Sequence, residues 1–274
     1  MGSSIHRIVI TLCFVFSTFS VNAKPLTFGV VPQQSAKKMA ENWQPLIDYL
    51  STYTGLSIEF KTAKDIPTFE ANLAKGAYDI AYMNPYHFVV FNETAGYRAL
   101  AHQRNKKIQG LIVVEKDSPI QSLSELSGTE IAFPAPAAFA ATIITSAYLR
   151  KNNIAFIPRY VNSHDSVYLA VQRKFFKAGG GILRTLNVAP EEVRSDLRVL
   201  WKSQGYTPHP IATSPNMAQG DRQAILNGLM ALSNDTSKSS VLKRNGLSGF
   251  IASNDSDWDD VRALGIASLS RTHL

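Results

Sequence analysis

From Leu26 onward the chain alternates β-prone runs with apolar stripes at helical spacing, a rhythm that confines it to α/β architectures. Leu26 to Val31 is β-prone, and Met39, Trp43, Leu46, Ile47 and Leu50 then fall on one helical face. Gly55 supplies a stop, and Ile58 to Phe60 restarts a strand. Thr68 to Leu73 fits a short helix closed by Gly76, after which Tyr78 to Tyr82 is β-prone again. That run halts at Asn84-Pro85, because proline disfavours helical geometry in the residue before it. A strand that stops at a polar, aromatic-rich turn is where open α/β sheets place their ligands. Alternation of this kind predicts largely parallel sheets.

The rhythm restarts at Leu111 to Val114, a fully apolar run suited to a buried connection. Ser122 to Gly128 reads as a short helix, Glu130 to Phe133 as a strand, Ala137 to Leu149 as an alanine-rich helix and Phe156 to Val161 as a strand. Ser163 is placed to cap a helix carrying Val167, Tyr168 and Val171 on one side. Pro190-Glu191-Glu192 suits a first helical turn, Leu197 to Trp201 a strand, and Met217 to Leu232 a helix with Ile225, Leu229 and Leu232 inward. The remainder reads as helical. Two comparable α/β blocks, joined near 109–114 and 201–212, imply two lobes with a cleft between them. Residues 24–110 with 207–274 form one lobe and 111–206 the other, and ligands bind in such clefts.

Residues 1–23 stand apart. Arg7 precedes an apolar run from Ile8 to Phe19, and Val21-Asn22-Ala23 is a small-residue cleavage pattern. The run is short for a bilayer span, so a cleaved secretory signal peptide is expected, with the mature chain starting near Lys24 and not embedded in the membrane. Cys13, the single cysteine, lies inside this leader, after Leu12 rather than a small residue, which argues against a lipid anchor. A mature chain without cysteine excludes disulfides, thiol catalysis and cysteine-ligated metals. Export without thiols points to the periplasm. Of 28 basic residues one leaves with the leader, so 27 face 21 acidic ones, a charge of about +6. The bases are scattered, without a run of five, so no nucleic-acid partner is expected, while a modest positive field favours small anions.

Five places carry candidate chemistry. Tyr82, Met83, Asn84 and Tyr86, around the Asn-Pro turn, either contact a ligand or pack as an aromatic loop over a sheet edge. Pro134 to Thr142, with Ala138, Phe139 and Thr142, is a strand-to-helix junction whose free N–H groups attract anions, or else a close-packed lobe interface. Ser163-His164-Asp165 is no hydrolytic triad, because neighbours on a helix point apart; His164 is a ligand contact near the cap, or a core or surface histidine. Ala178-Gly179-Gly180-Gly181 permits unusual backbone angles and close approach to a ligand, but matches neither nucleotide-loop pattern. Arg184 either pairs with an anion through two nitrogens or lies on the surface, and His209, between Pro208 and Pro210, is a further ligand candidate. The six histidines show no ligand spacing, so neither a metal nor another cofactor is expected.

These segments together resemble the phosphate/phosphite/phosphonate-binding family of periplasmic proteins that serve ABC importers. The resemblance runs through Phe28-Gly29-Val30-Val31-Pro32, Trp43-Gln44-Pro45-Leu46, Gly76-Ala77-Tyr78-Asp79-Ile80-Ala81, Asp117-Ser118-Pro119-Ile120, Ser163-His164 and Leu200-Trp201-Lys202-Ser203. It implies a two-lobed type II periplasmic-binding-protein fold with an inter-lobe ligand cleft, a monomer without catalytic activity, and an ABC permease as partner. The alternative is ligand presentation to the periplasmic domain of a sensor kinase. It also implies that His164 is the family's cleft histidine and that an aromatic contact falls on or beside Met83, with Tyr82 and Tyr86 near. The family's hydroxyl-rich oxyanion turn falls on Ala137 to Ala141, where only Thr142 keeps a hydroxyl nearby. Each lost donor weakens oxyanion capture by about 1 kcal/mol. Where aminophosphonate-binding members place acidic residues for the ammonium group, this chain has Arg184 and His209. That charge reversal disfavours an amine-bearing ligand and favours a plain or organic anion.

Overall fold

The computed structural model describes residues 24–266; the expected leader lies outside the described residues. Eleven strands are present among them: β1 (Leu26–Val30), β2 (Ile58–Lys61), β3 (Ile80–Tyr82), β4 (Arg98–Gln103), β5 (Gly110–Glu115), β6 (Thr129–Phe133), β7 (Phe156–Tyr160), β8 (Ala178–Ile182), β9 (Leu197–Lys202), β10 (Pro210–Thr213) and β11 (Phe250–Ala252). They form two sheets, ordered β11-β4-β10-β3-β1-β2 and β7-β6-β8-β5-β9.

The sheets are mixed rather than largely parallel. The strands joined by helical crossovers pair in parallel, β1 with β2 and β3, and β6 with β7 and β8. The strands that carry the chain between sheets do not. β4 leaves the first sheet beside the returning β10, and β5 enters the second beside the departing β9, so both pairs are antiparallel. The two crossing segments touch through a bridge between Ile108 and Tyr206. One further strand stands where the sequence reads as helical: β11 adds an edge to β4, its Phe250 N–H held by Ser233 Oγ at 2.7 Å.

The helix Ala36–Thr54 turns Met39, Trp43, Leu46, Ile47 and Leu50 onto the first sheet, and Gly55 ends it in the left-handed region at φ 72°. Ile225, Leu229 and Leu232 of the helix Gln219–Asn234 close the same core. Each such side chain contributes about 1.5–3 kcal/mol when withdrawn from water. In the second sheet, Val167, Tyr168 and Val171 of the helix His164–Gln172 cover one face, with Ser163 capping Ser166 N–H at 3.1 Å.

The glycine run does not form a loop with unusual angles. It is β8, fully buried between β6 and β5. A Cβ on Gly179 would meet Val167 Cγ1 at 2.4 Å, one on Gly180 the Ala141 carbonyl oxygen at 2.2 Å, and one on Gly181 the Tyr168 hydroxyl at 2.6 Å. The glycines therefore let two helical segments close on the strand from opposite faces.

Candidate functional site

The cleft lies where the carboxyl ends of β1 and β3 face the second sheet's helical segments. Beyond β1, Gln33 makes three links. Its carbonyl accepts from the His164 N–H at 3.1 Å, its Oε1 accepts from the Arg184 guanidinium, and its Nε2 donates to His209 Nε2 at 3.2 Å. At the end of β3, Tyr82 stacks on His209 with centroids 5.1 Å apart and planes 17° apart. The Arg184 guanidinium carbon sits 5.6 Å from the same ring, within cation–π range. Asn84 caps the helix Pro85–Thr94 by accepting from the His87 N–H at 2.7 Å, and its Nδ2 donates across the cleft to the Ala137 carbonyl at 2.9 Å.

The facing wall differs from the regular α-helix expected after Ala137. Phe139–Ile144 is a π-helix, continued by the α-helix Thr145–Lys151. Gly110 and Gly180 accommodate the wide turn, since a Cβ on either would lie 2.2 Å from the carbonyl oxygen of Ala140 or Ala141. The N–H groups of Phe139, Ala140 and Ala141 have no acceptor among the described residues, as a helix start leaves its first donors free. Ala138 and Phe139 line the cleft, whereas the Thr142 hydroxyl is turned away to the Ala135 carbonyl at 2.8 Å.

Two further residues do not reach the cleft. Met83 is fully buried beneath it, its N–H donating to the Pro210 carbonyl at 3.3 Å, because successive residues of an extended chain face opposite ways. Tyr86 lies one helical turn from Val89 and Val90 and shares a separate groove with them and Val261. Tyr82, Asn84, Ala138, Phe139, His164, Arg184 and His209 are brought together. Gln33, which joins three of them, escapes sequence reasoning; the signal for it is its place just past the first strand.

The electrostatics are one-sided. Burial, aided by the Arg184 charge, pushes the His164 imidazole down to about 3, so the ring is neutral at pH 7. The same two causes hold His209 well below its ordinary value. His164 Nδ1 lies 3.2 Å from the Thr185 hydroxyl, and its Nε2 has no partner among the described residues. When Thr185 donates to Nδ1, the ring proton sits on Nε2, at the cavity. Arg184, half-buried, donates to neutral oxygens, those of Gln33 and the Asn245 carbonyl at 3.2 Å, and has no carboxylate partner among the described residues. The outer rim is stitched by Lys38, which donates to the Val188 carbonyl at 3.1 Å and lies 3.6 Å from Asp165, and by Gln34, which donates to Asp165 at 3.3 Å.

Two adjoining cavities result. The first, among Gln33, Asn84, Ala138 to Ala141 and His164, has a volume of about 10 Å³. The second, among Tyr82, Gln103, Lys107, Gln109 and Arg184, has about 60 Å³. Ile108, Ile182 and His209 line both. Among the described residues no group of three or more His, Cys, Asp or Glu could hold a metal ion, and no helix is long and apolar enough to cross a membrane.

Residues 28–258 match the family described as the periplasmic substrate-binding protein of phosphonate ABC transporters. The chain belongs to this family. Among curated proteins, the phosphonate-binding family is represented by the phosphonates-binding periplasmic protein of Escherichia coli, 25% identical over 89% of this chain and 76% of that protein. The binding component of a phosphonate ABC transporter from Pseudomonas aeruginosa superposes with a TM-score of 0.79 at 20% identity, over 89% of this chain and 86% of the other. PhnD1 from Prochlorococcus marinus, solved with methylphosphonate, gives a TM-score of 0.81 at 14% identity over 88% and 97%. The fold is therefore the two-lobed type II periplasmic-binding fold, and the family is one of transport binding components.

Proposed function

We propose that this protein is the periplasmic solute-binding component of an ABC importer and closes its two lobes, 24–110 with 207–274 and 111–206, around a small anion without an amine. It acts as a monomer without catalysis, is exported through a cleaved leader at residues 1–23, and hands its ligand to a permease. The carrying observation is Arg184, a guanidinium in the cleft whose partners are neutral oxygens. The free N–H groups of Phe139 to Ala141 and the His164 ring add neutral donors from the same lobe as Arg184. A cation placed there meets Arg184 with no carboxylate to offset it. Presentation to a sensor kinase is the less favoured reading, since the family and its Escherichia coli member are transport and periplasmic binding proteins.

Binding is tested by thermal shift against methylphosphonate, phosphate, small carboxylates and 2-aminoethylphosphonate. The anions without an amine are expected to raise Tm and 2-aminoethylphosphonate to raise it least. A 2-aminoethylphosphonate shift equal to or above that of methylphosphonate refutes the charge argument.

A further inference from the structure

The cleft separates two kinds of donor, and the separation defines a ligand. The first cavity offers only neutral donors: backbone N–H at Phe139 to Ala141 and the neutral His164 ring. The fixed charge is next door. Arg184 lines the second cavity, with Lys107 at its rim and the Gln103 and Gln109 amides beside it, and no Asp or Glu lines either space. Ile108 and Ile182 form an apolar bridge common to both.

We infer, on the anion reading above, that the physiological ligand carries two anionic groups: an oxyanion head for the first cavity and, one or two carbons away, a carboxylate for the second. A phosphonocarboxylate is the chemical class. The first cavity as it stands has room for about one water, so the head enters with the lobes apart and they close around it. The head then takes the backbone N–H groups and His164 Nε2, the methylene link lies on Ile108 and Ile182, and the carboxylate pairs with Arg184. Arg184 already holds a rehearsal of that bond. One of its terminal nitrogens donates to the Gln33 side-chain oxygen, a neutral amide in the place of a ligand oxygen. A carboxylate outcompetes such an amide because hydrogen bonds to an ionised acceptor are shorter and about twice as strong. The planar guanidinium fork matches the two oxygens of a carboxylate in a paired contact. Lys107 is secured to Thr207 Oγ1 at 3.1 Å and lies 3.7 Å from Asp260, so it contributes from the rim rather than as the main partner.

Isothermal titration of the purified protein with phosphonoacetate, methylphosphonate and 2-aminoethylphosphonate at one pH and salt concentration tests this. Phosphonoacetate is expected to bind at least about tenfold more tightly than methylphosphonate. Arg184→Gln should bring that ratio to about one, and Lys107→Gln should lower it by a smaller factor. Methylphosphonate binding as tightly as phosphonoacetate overturns the two-group ligand while leaving the anion reading intact, as does a ratio that survives Arg184→Gln. Absence of binding by both overturns the anion reading itself. Should Arg184→Gln fail to fold, Arg184→Lys decides: the ratio is expected to fall, and an unchanged ratio overturns the carboxylate contact at Arg184.

Discussion

Acidification from pH 7 to pH 5 probes the cleft through His164. An unfolded histidine titrates near 6.5, and in the folded cleft burial and the Arg184 charge carry His164 down to about 3. The unfolded state thus binds the proton between these values and the folded state does not. Stability from this group is fully present above pH 6.5 and is lost as pH falls towards 3. At pH 5 the unfolded ring is almost wholly protonated, and the loss relative to pH 7 is about 2 kcal/mol. His209 is shifted in the same direction by the same causes and adds to it. Urea denaturation at both pH values, with fluorescence and circular dichroism followed together to check for a single transition, measures the loss. Carboxylates contribute equally to wild type and to His164→Gln, so their effect cancels in the comparison. The wild type is expected to lose about 2 kcal/mol more than His164→Gln between pH 7 and pH 5. Equal losses in the two proteins refute the neutral, buried histidine.

Other outcomes follow from packing. Gly180→Ala forces a methyl against the Ala141 carbonyl at 2.2 Å and the Phe133 ring at 2.5 Å, and should lower stability by about 1–3 kcal/mol or prevent folding, read by Tm. Asn84→Ala removes the cap on Pro85–Thr94 together with the bond to Ala137, and should cost about 1 kcal/mol or more in denaturation while weakening ligand affinity.

Much of the architecture is legible in the residues themselves. The stripe from Met39 to Leu50 commits one helix to one sheet, and the stop at Asn84-Pro85 marks the carboxyl edge of a strand. Three features escape for definite reasons. β8 has no side chains over Gly179 to Gly181, so it carries no alternation to read, and its strand character comes wholly from neighbours on both faces. The π-helical turn at Phe139–Ile144 follows an alanine-rich run that suits an ordinary helix equally well; Gly110 and Gly180, distant in sequence, make room for it. Mixed strand direction depends on where the chain crosses between sheets, a long-range fact that local pattern does not encode. Within the site, charged and aromatic residues advertise themselves. An amide such as Gln33 becomes informative only when its three partners are brought around it.

The bonds across the cleft run from protein to protein. Gln33 receives His164 and Arg184, Asn84 reaches Ala137, and Lys38 and Gln34 hold the far rim. Each lowers the free energy of the shut molecule whether or not cargo is inside, so none of them reports on occupancy. Only a contact that exists solely with cargo can shift the balance between open and shut forms. For a receiver that responds to shape alone, the fidelity of the signal would therefore rest on the groups that gain a partner only from cargo: the N–H groups of Phe139 to Ala141, His164 Nε2, and Arg184 where a ligand oxygen replaces Gln33. The larger the gain from those contacts, the fewer empty carriers would be mistaken for full ones.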